Sequence, residues 1–187
     1  MRSIAGYLRQ RFPARVFVPA IVLHAAAASF ATESAWPAFA TAIGLMTLLF
    51  VAFRLWDDLE DADRDRVAHP DRLLPRASRD VFLALAAALV IVAGLLVARR
   101  AEALAGHVLL YGASWAGYRL VRPHVADLVW RYGFLLLKYP AFVWLVAITV
   151  GRPAPARLAA ATVAAYLAAC LYEAWHHDLR SRLGVTS

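Results

Sequence analysis

The chain has 187 residues, is 62% hydrophobic with a mean hydropathy of +0.58, and carries 20 Lys and Arg against 13 Asp and Glu, a formal charge of +7. Apolar content this far above the roughly half usual in soluble domains excludes an ordinary water-soluble globule. The lone cysteine, Cys170, excludes an internal disulfide and a cysteine-based metal site.

Taken in chain order, the sequence opens with Arg2, Arg9, Arg11 and Arg15 ahead of an apolar run at roughly 16–32. That run ends in "AAAASFATESA", which fits either a first membrane span or a signal peptide with a small-residue cleavage site. Cleavage there leaves the topology of the later segments unchanged. Further apolar runs follow at roughly 36–56, 79–98, 103–120, 127–150 and 155–176. A helix needs about twenty apolar residues to cross a bilayer, so the pattern predicts an all-α polytopic membrane bundle of about six transmembrane helices. The runs are Leu/Ala-rich and lack the alternation of a spanning β-barrel. Their connections are too short for a soluble domain, so residues 1–187 read as a single membrane domain.

Arginine distribution predicts orientation. With the N-terminus in the cytoplasm, Arg2, Arg9, Arg11, Arg15, Arg64, Arg66, Arg72, Arg76, Arg79, Arg119, Arg122, Arg180 and Arg182 fall inside. Arg99, Arg100, Arg152 and Arg157 fall outside. The basic charge therefore reports an inner-membrane topology and an anionic inner leaflet, not a nucleic-acid partner.

The connection "RLWDDLEDADRDRVAHPDRLLPR", residues 54–76, concentrates Asp57, Asp58, Glu60, Asp61, Asp63, Asp65 and Asp71 beside several arginines. Asp57, Asp61 and Asp65 recur every four residues, a spacing that puts them on one helical face, with Asp58 flanking. Carboxylates so spaced repel, and a divalent cation removes the repulsion. Oxygen-only ligands suit Mg2+, which usually takes one or two carboxylates plus substrate phosphates. Arg66, Arg72 and Arg76 offer forked donors for phosphate oxygens. The competing reading is a solvated loop of alternating charge, against which stand the regular spacing, the concentration of acid and the position at a membrane face. An EF-hand is excluded, since the loop lacks its glycine and closing glutamate.

The last run ends "LYEAWHHDLR", and six spans return Glu173 and Asp178 to the face that carries residues 57–65. Two acidic clusters on one face suit a two-metal clamp on a diphosphate; the alternative is an ordinary helix end whose His and Arg complement the dipole. Lys138, the single lysine, sits inside the fifth run and is expected to face a carboxylate or a bound anion. Pro140 is expected to kink that helix, and His24 and His107 to be core or interfacial histidines, not ligands. Glu173-x-x-His176 has the spacing of di-iron bundles, but those need two such pairs.

"DDLEDADRD" and the following "HPDRLLPR" resemble the first acidic motif and arginine-rich tail of the UbiA superfamily of intramembrane prenyltransferases. "LYEAWHHD" is similar in place to that family's second acidic motif. The resemblance covers essentially the whole chain, matched to the N-terminal two thirds of a usual nine-helix member. It implies metal binding by Asp57, Asp58, Asp61 and Asp65, with Glu173 and Asp178 in the second motif. It also implies diphosphate binding by Arg66, Arg72, Arg119, Arg122 and Lys138, the last also catalytic. The implied activity is Mg2+-dependent transfer of an isoprenyl group from an isoprenyl diphosphate to an aromatic or other lipophilic acceptor. The alternative function is a non-catalytic or split-enzyme membrane subunit that binds a lipid diphosphate, completed by a homo-oligomer or a complementary helix-bearing chain.

Overall fold

In the computed structural model, residues 2–32, 36–68, 74 and 78–182 are described, the side chains of 2, 3, 68 and 177–182 excepted. All regular structure among them is helical. Pro13 separates the first two helices, because the residue before a proline is pushed out of helical geometry. α1 spans Arg2–Arg11 and α2 Ala14–Thr32. α3, Trp36–Glu60, extends the second apolar run through the first acidic residues, and α4 covers Ala62–Ala68. Backbone bonds from Asp61 N to Asp57 O and Asp65 N to Asp61 O carry the winding across the bend at Asp61. α5 spans Arg79–Val97 and α6 Ala101–Ala116, the latter running into a π turn at Gly117–Val121. α7 is Asp127–Gly133, α8 Lys138–Val150 and α9 Pro155–Arg182.

Five segments are long and apolar enough to cross a membrane: Ala14–Thr32, Trp36–Glu60, Arg79–Val97, Asp127–Val150 and Pro155–His176. Their outer faces carry Leu23, Ile91, Leu95, Leu128 and Leu171, each more than half exposed. Faces so apolar are stable against lipid, not water, and the chain is a multi-pass membrane protein. The expected span at 103–120 differs. Its α-helical part has 16 residues, about 24 Å at 1.5 Å per residue and short of the ~30 Å hydrocarbon layer. α6 nonetheless runs the depth of the bundle, since Arg100 at its start binds the end of α8 while Tyr118 just past its end binds the end of α3.

The core forms around α3. Leu45, Met46, Leu49, Phe50 and Phe53 meet Phe142, Val143 and Val146 of α8. Ala25, Ala28 and Ala31 make α2 narrow enough to lie close to its neighbours. At one end of the bundle, the Arg100 guanidinium donates to Ile148 O at 3.0 Å and Gly151 O at 2.5 Å. These are carbonyls that a helix C-terminus leaves without partners. Ala154 N donates to Ala31 O at the same end. The opposite end therefore gathers the end of α3, the turn after α6, the start of α8 and the end of α9.

The kink expected at Pro140 takes the form of a break one turn ahead of it, where a proline removes a helical hydrogen bond and crowds the carbonyl of Leu136. The chain breaks earlier, at Phe134 (φ −129°, ψ −54°), and turns through a 3-10 segment at Leu135–Leu137. The break brings Lys138 out of mid-span to the level of the acidic residues.

Candidate functional site

Adjacent residues of the acidic stretch face different partners. Asp57, at the end of α3, accepts the Tyr118 hydroxyl at 2.7 Å and pairs with the Lys138 ammonium, both groups largely buried. One turn on, Asp61 pairs with Arg122 at 2.5 Å, and Glu60 meets the more exposed Arg119 at 3.5 Å. Arg122 also lies over the rings of Tyr118 and Trp130, at 5.2 and 5.9 Å from their centroids. Burial works against its charge, yet the hydrogen bond and field of Asp61 outweigh this and hold its pKa above the usual arginine value. Lys138 thus faces a carboxylate, as its place in an apolar run requires.

Asp58 points the other way. Its carboxylate, 5% exposed, accepts the Tyr7 hydroxyl and the Arg11 Nε at 2.8 Å each and a second Arg11 nitrogen, with Arg54 at 3.6 Å. Burial foremost, then the charge and hydrogen bond of Asp58, push the Tyr7 phenol well above its ordinary pKa, so it stays a neutral donor. For Arg11, burial disfavours the charge, but the bond to Asp58 overcomes it and raises the pKa. Asp65 is buried as well, and its charge acts on Arg11. The expectation that Asp57, Asp61 and Asp65 share one face is therefore met by Asp57 and Asp61 alone. Asp58 and Asp65 belong to the side on which α1 docks.

Glu173 lies at the same end of the bundle as the acidic stretch. Its carboxylate accepts from Arg131 of α7 at 2.9 Å. Arg66 pairs with Asp63 at 3.1 Å on an exposed edge, apart from the Asp57 cluster. Arg72 and the side chain of Asp178 lie outside the described residues. His24 and His107 are core histidines, each bonded through one ring nitrogen to a backbone carbonyl, of Ala20 and Val90 respectively.

Beside Asp57 and Lys138 opens a cleft of about 360 Å³ between α3, α6, α7 and α8. Its walls are apolar and aromatic. Trp130 and Phe134 stack at 5.8 Å, and the Tyr118 ring meets Trp130 edge-on at 5.0 Å. Gly117 lets Trp130 approach, for a Cβ there would sit 3.3 Å from the indole. At the far end, a Cβ on Gly106 would come within 2.3 Å of the Trp144 ring, so only glycine allows that indole to lie against α6.

No protein-family model, curated protein or solved structure matches this chain.

Sequence reasoning missed Tyr7, Tyr118, Trp130, Trp144 and the pairing role of Arg11. Nothing in their local spacing marks them, because each acquires its partner from a distant helix. Among the described residues, no three His, Cys, Asp or Glu side chains converge as a metal cage. Asp57 and Asp61 still offer two carboxylates a turn apart, the number magnesium commonly takes from protein. Three carboxylates, Asp57, Glu60 and Asp61, meet three cations, Lys138, Arg119 and Arg122, so the cluster is neutral. Magnesium alone would add positive charge beside Lys138 and Arg122, whereas magnesium with a polyanionic diphosphate arrives near balance. The donor set therefore fits a metal that enters with its phosphate ligand.

Proposed function

We propose that this chain is a Mg2+-dependent intramembrane prenyltransferase that binds an isoprenyl diphosphate at the Asp57 end of the cleft. It passes the isoprenyl group to an aromatic or other lipophilic acceptor, as its resemblance to the UbiA superfamily implies. The observation that carries the reading is one continuous arrangement. An apolar cleft long enough for a hydrocarbon tail ends at carboxylates and cations suited to a metal and a diphosphate. In this reading the protein lies in the inner membrane with its N-terminus and acidic stretch on the cytoplasmic side, where the arginine excess favours them.

Magnesium, when bound by Asp57 and Asp61, supplies positive charge that makes diphosphate a better leaving group. Lys138 and Arg122, drawn from their carboxylates, donate to phosphate oxygens, and Tyr118 is placed to donate alongside them. The allylic carbon–oxygen bond breaks with its electron pair leaving on diphosphate. The acceptor carbon supplies the pair for the new bond and then gives up its proton to the released diphosphate. Trp130, Phe134 and the leucines of the cleft keep water from the reacting carbon.

A second reading, a non-catalytic or split-enzyme subunit, is favoured by the engagement of Glu173 with Arg131 of α7. In that case a homo-oligomeric copy or another chain completes the second acidic set. Purified protein in nanodiscs, given Mg2+ and isoprenyl diphosphates, separates these readings. Binding with diphosphate release on adding acceptor supports transfer, and binding without release supports the subunit. Absence of Mg2+-dependent binding at every tail length overturns both.

A further inference from the structure

We infer that the cleft is a side-open slot that ends where Trp144 lies against Gly106, and that it takes tails of two to three isoprene units in preference to longer ones. The inference rests on the reading of the site as an isoprenyl diphosphate site, and it names the length class.

The polar end is set by Asp57, Tyr118 and Lys138. From there α8 contributes Lys138, Ala141 and Trp144 to the cleft in turn, and no residue of α8 beyond Trp144 lines it. Those six residues advance about 9 Å at 1.5 Å per residue. On the facing helix the lining runs from Gly117 back to Gly106 and stops there, about 16 Å by the same rise. The two rows end together, at the one place where the indole lies across a glycine with no room for a methyl group. An extended isoprene unit has four backbone bonds of about 1.5 Å and advances roughly 5 Å. A slot of about 9–16 Å therefore holds two to three units. The volume agrees, since about 360 Å³ lies near the lower bound of the ~300–1,000 Å³ typical of ligand pockets.

A physical alternative is a tail that leaves the cleft sideways between α6 and α8 into lipid, in which case its length would not matter. The two cases differ in how affinity depends on length. Binding of Mg2+ with diphosphates of two, three, four and six isoprene units is measured on the full chain in nanodiscs. Two and three units are expected to bind at least tenfold more tightly than four and six. Trp144→Ala is expected to restore four-unit binding by at least tenfold, and Ala141→Leu, which fills the slot one turn from Lys138, to weaken three units more than two. Melting temperatures confirm that both variants fold, and the wild-type length series decides the matter without them. Equal binding of all lengths within threefold, or tightest binding of the longest, overturns the slot and leaves the site reading intact. Binding of none overturns the site reading itself.

Discussion

Replacing Asp58 by alanine tests whether this carboxylate fastens α1 or holds a metal. In the structure it is the sole described acceptor for the Tyr7 hydroxyl and is doubly bonded to Arg11. Breaking a buried pair by removing one partner costs about 3–5 kcal/mol. Arg11 keeps a route to water at 15% side-chain exposure, so about 2–4 kcal/mol is the better expectation. For a chain of this size that lowers the melting temperature by roughly 5–15 °C. The loss should concentrate at the end that carries the acidic stretch, because Tyr7 sits on Phe82 with Leu55, Leu59 and Leu74 around it. Amide hydrogen exchange should therefore quicken in α1 while the centre of α3 stays protected. Asp58→Leu combined with Arg11→Met should recover most of the stability, since a well-packed apolar pair often matches a buried ion pair. Mg2+-dependent diphosphate binding should fall far less than in Asp57→Ala. If Asp58→Ala leaves α1 protection and melting unchanged but abolishes that binding as fully as Asp57→Ala, Asp58 is a metal ligand and the clasp assignment is wrong.

Lys138→Met strands Asp57 with Tyr118 as its remaining partner and removes the donor proposed for phosphate. It should weaken diphosphate binding by more than tenfold in an equilibrium assay while α1 keeps its exchange protection. Arg66→Ala removes only an exposed pair with Asp63; melting should shift by less than the equivalent of about 0.5 kcal/mol, and binding should hold within twofold. Gly106→Ala puts a methyl group 2.3 Å from the Trp144 ring. Such overpacking should destabilise by about 1–3 kcal/mol, visible as a lower melting point, and Trp144→Phe in the same chain should relieve part of it.

Much of the architecture was legible because the bilayer imposes a length rule that composition alone can satisfy. The apolar runs at 16–32, 36–56 and 79–98 became helices within a few residues of those bounds, and the run at 155–176 became a helix that continues to Arg182. Lys138 could be assigned an anionic partner, a carboxylate or a bound anion, since an unpaired ammonium in an apolar run is too costly to persist. Spacing also placed Asp57 and Asp61 on one face. The same reasoning failed for Asp65, because winding alone does not say which side of a helix a neighbour will cover. α1 docks against Asp58 and reaches Asp65 as well.

Local sequence thus determined that this chain spans a membrane as helices and that its acid collects at one end, both consequences of the energetics of burying apolar and charged groups. Tertiary structure alone decided the pairings. Tyr118 and Lys138 reach Asp57 across 61 and 81 residues of chain, and the cleft beside them is lined by Trp130, Phe134, Leu135 and Leu137 where α7 breaks from α8. Long-range contacts of this kind leave no periodicity in the sequence, since each side chain's partner is set by how helices stack and not by its neighbours in the chain.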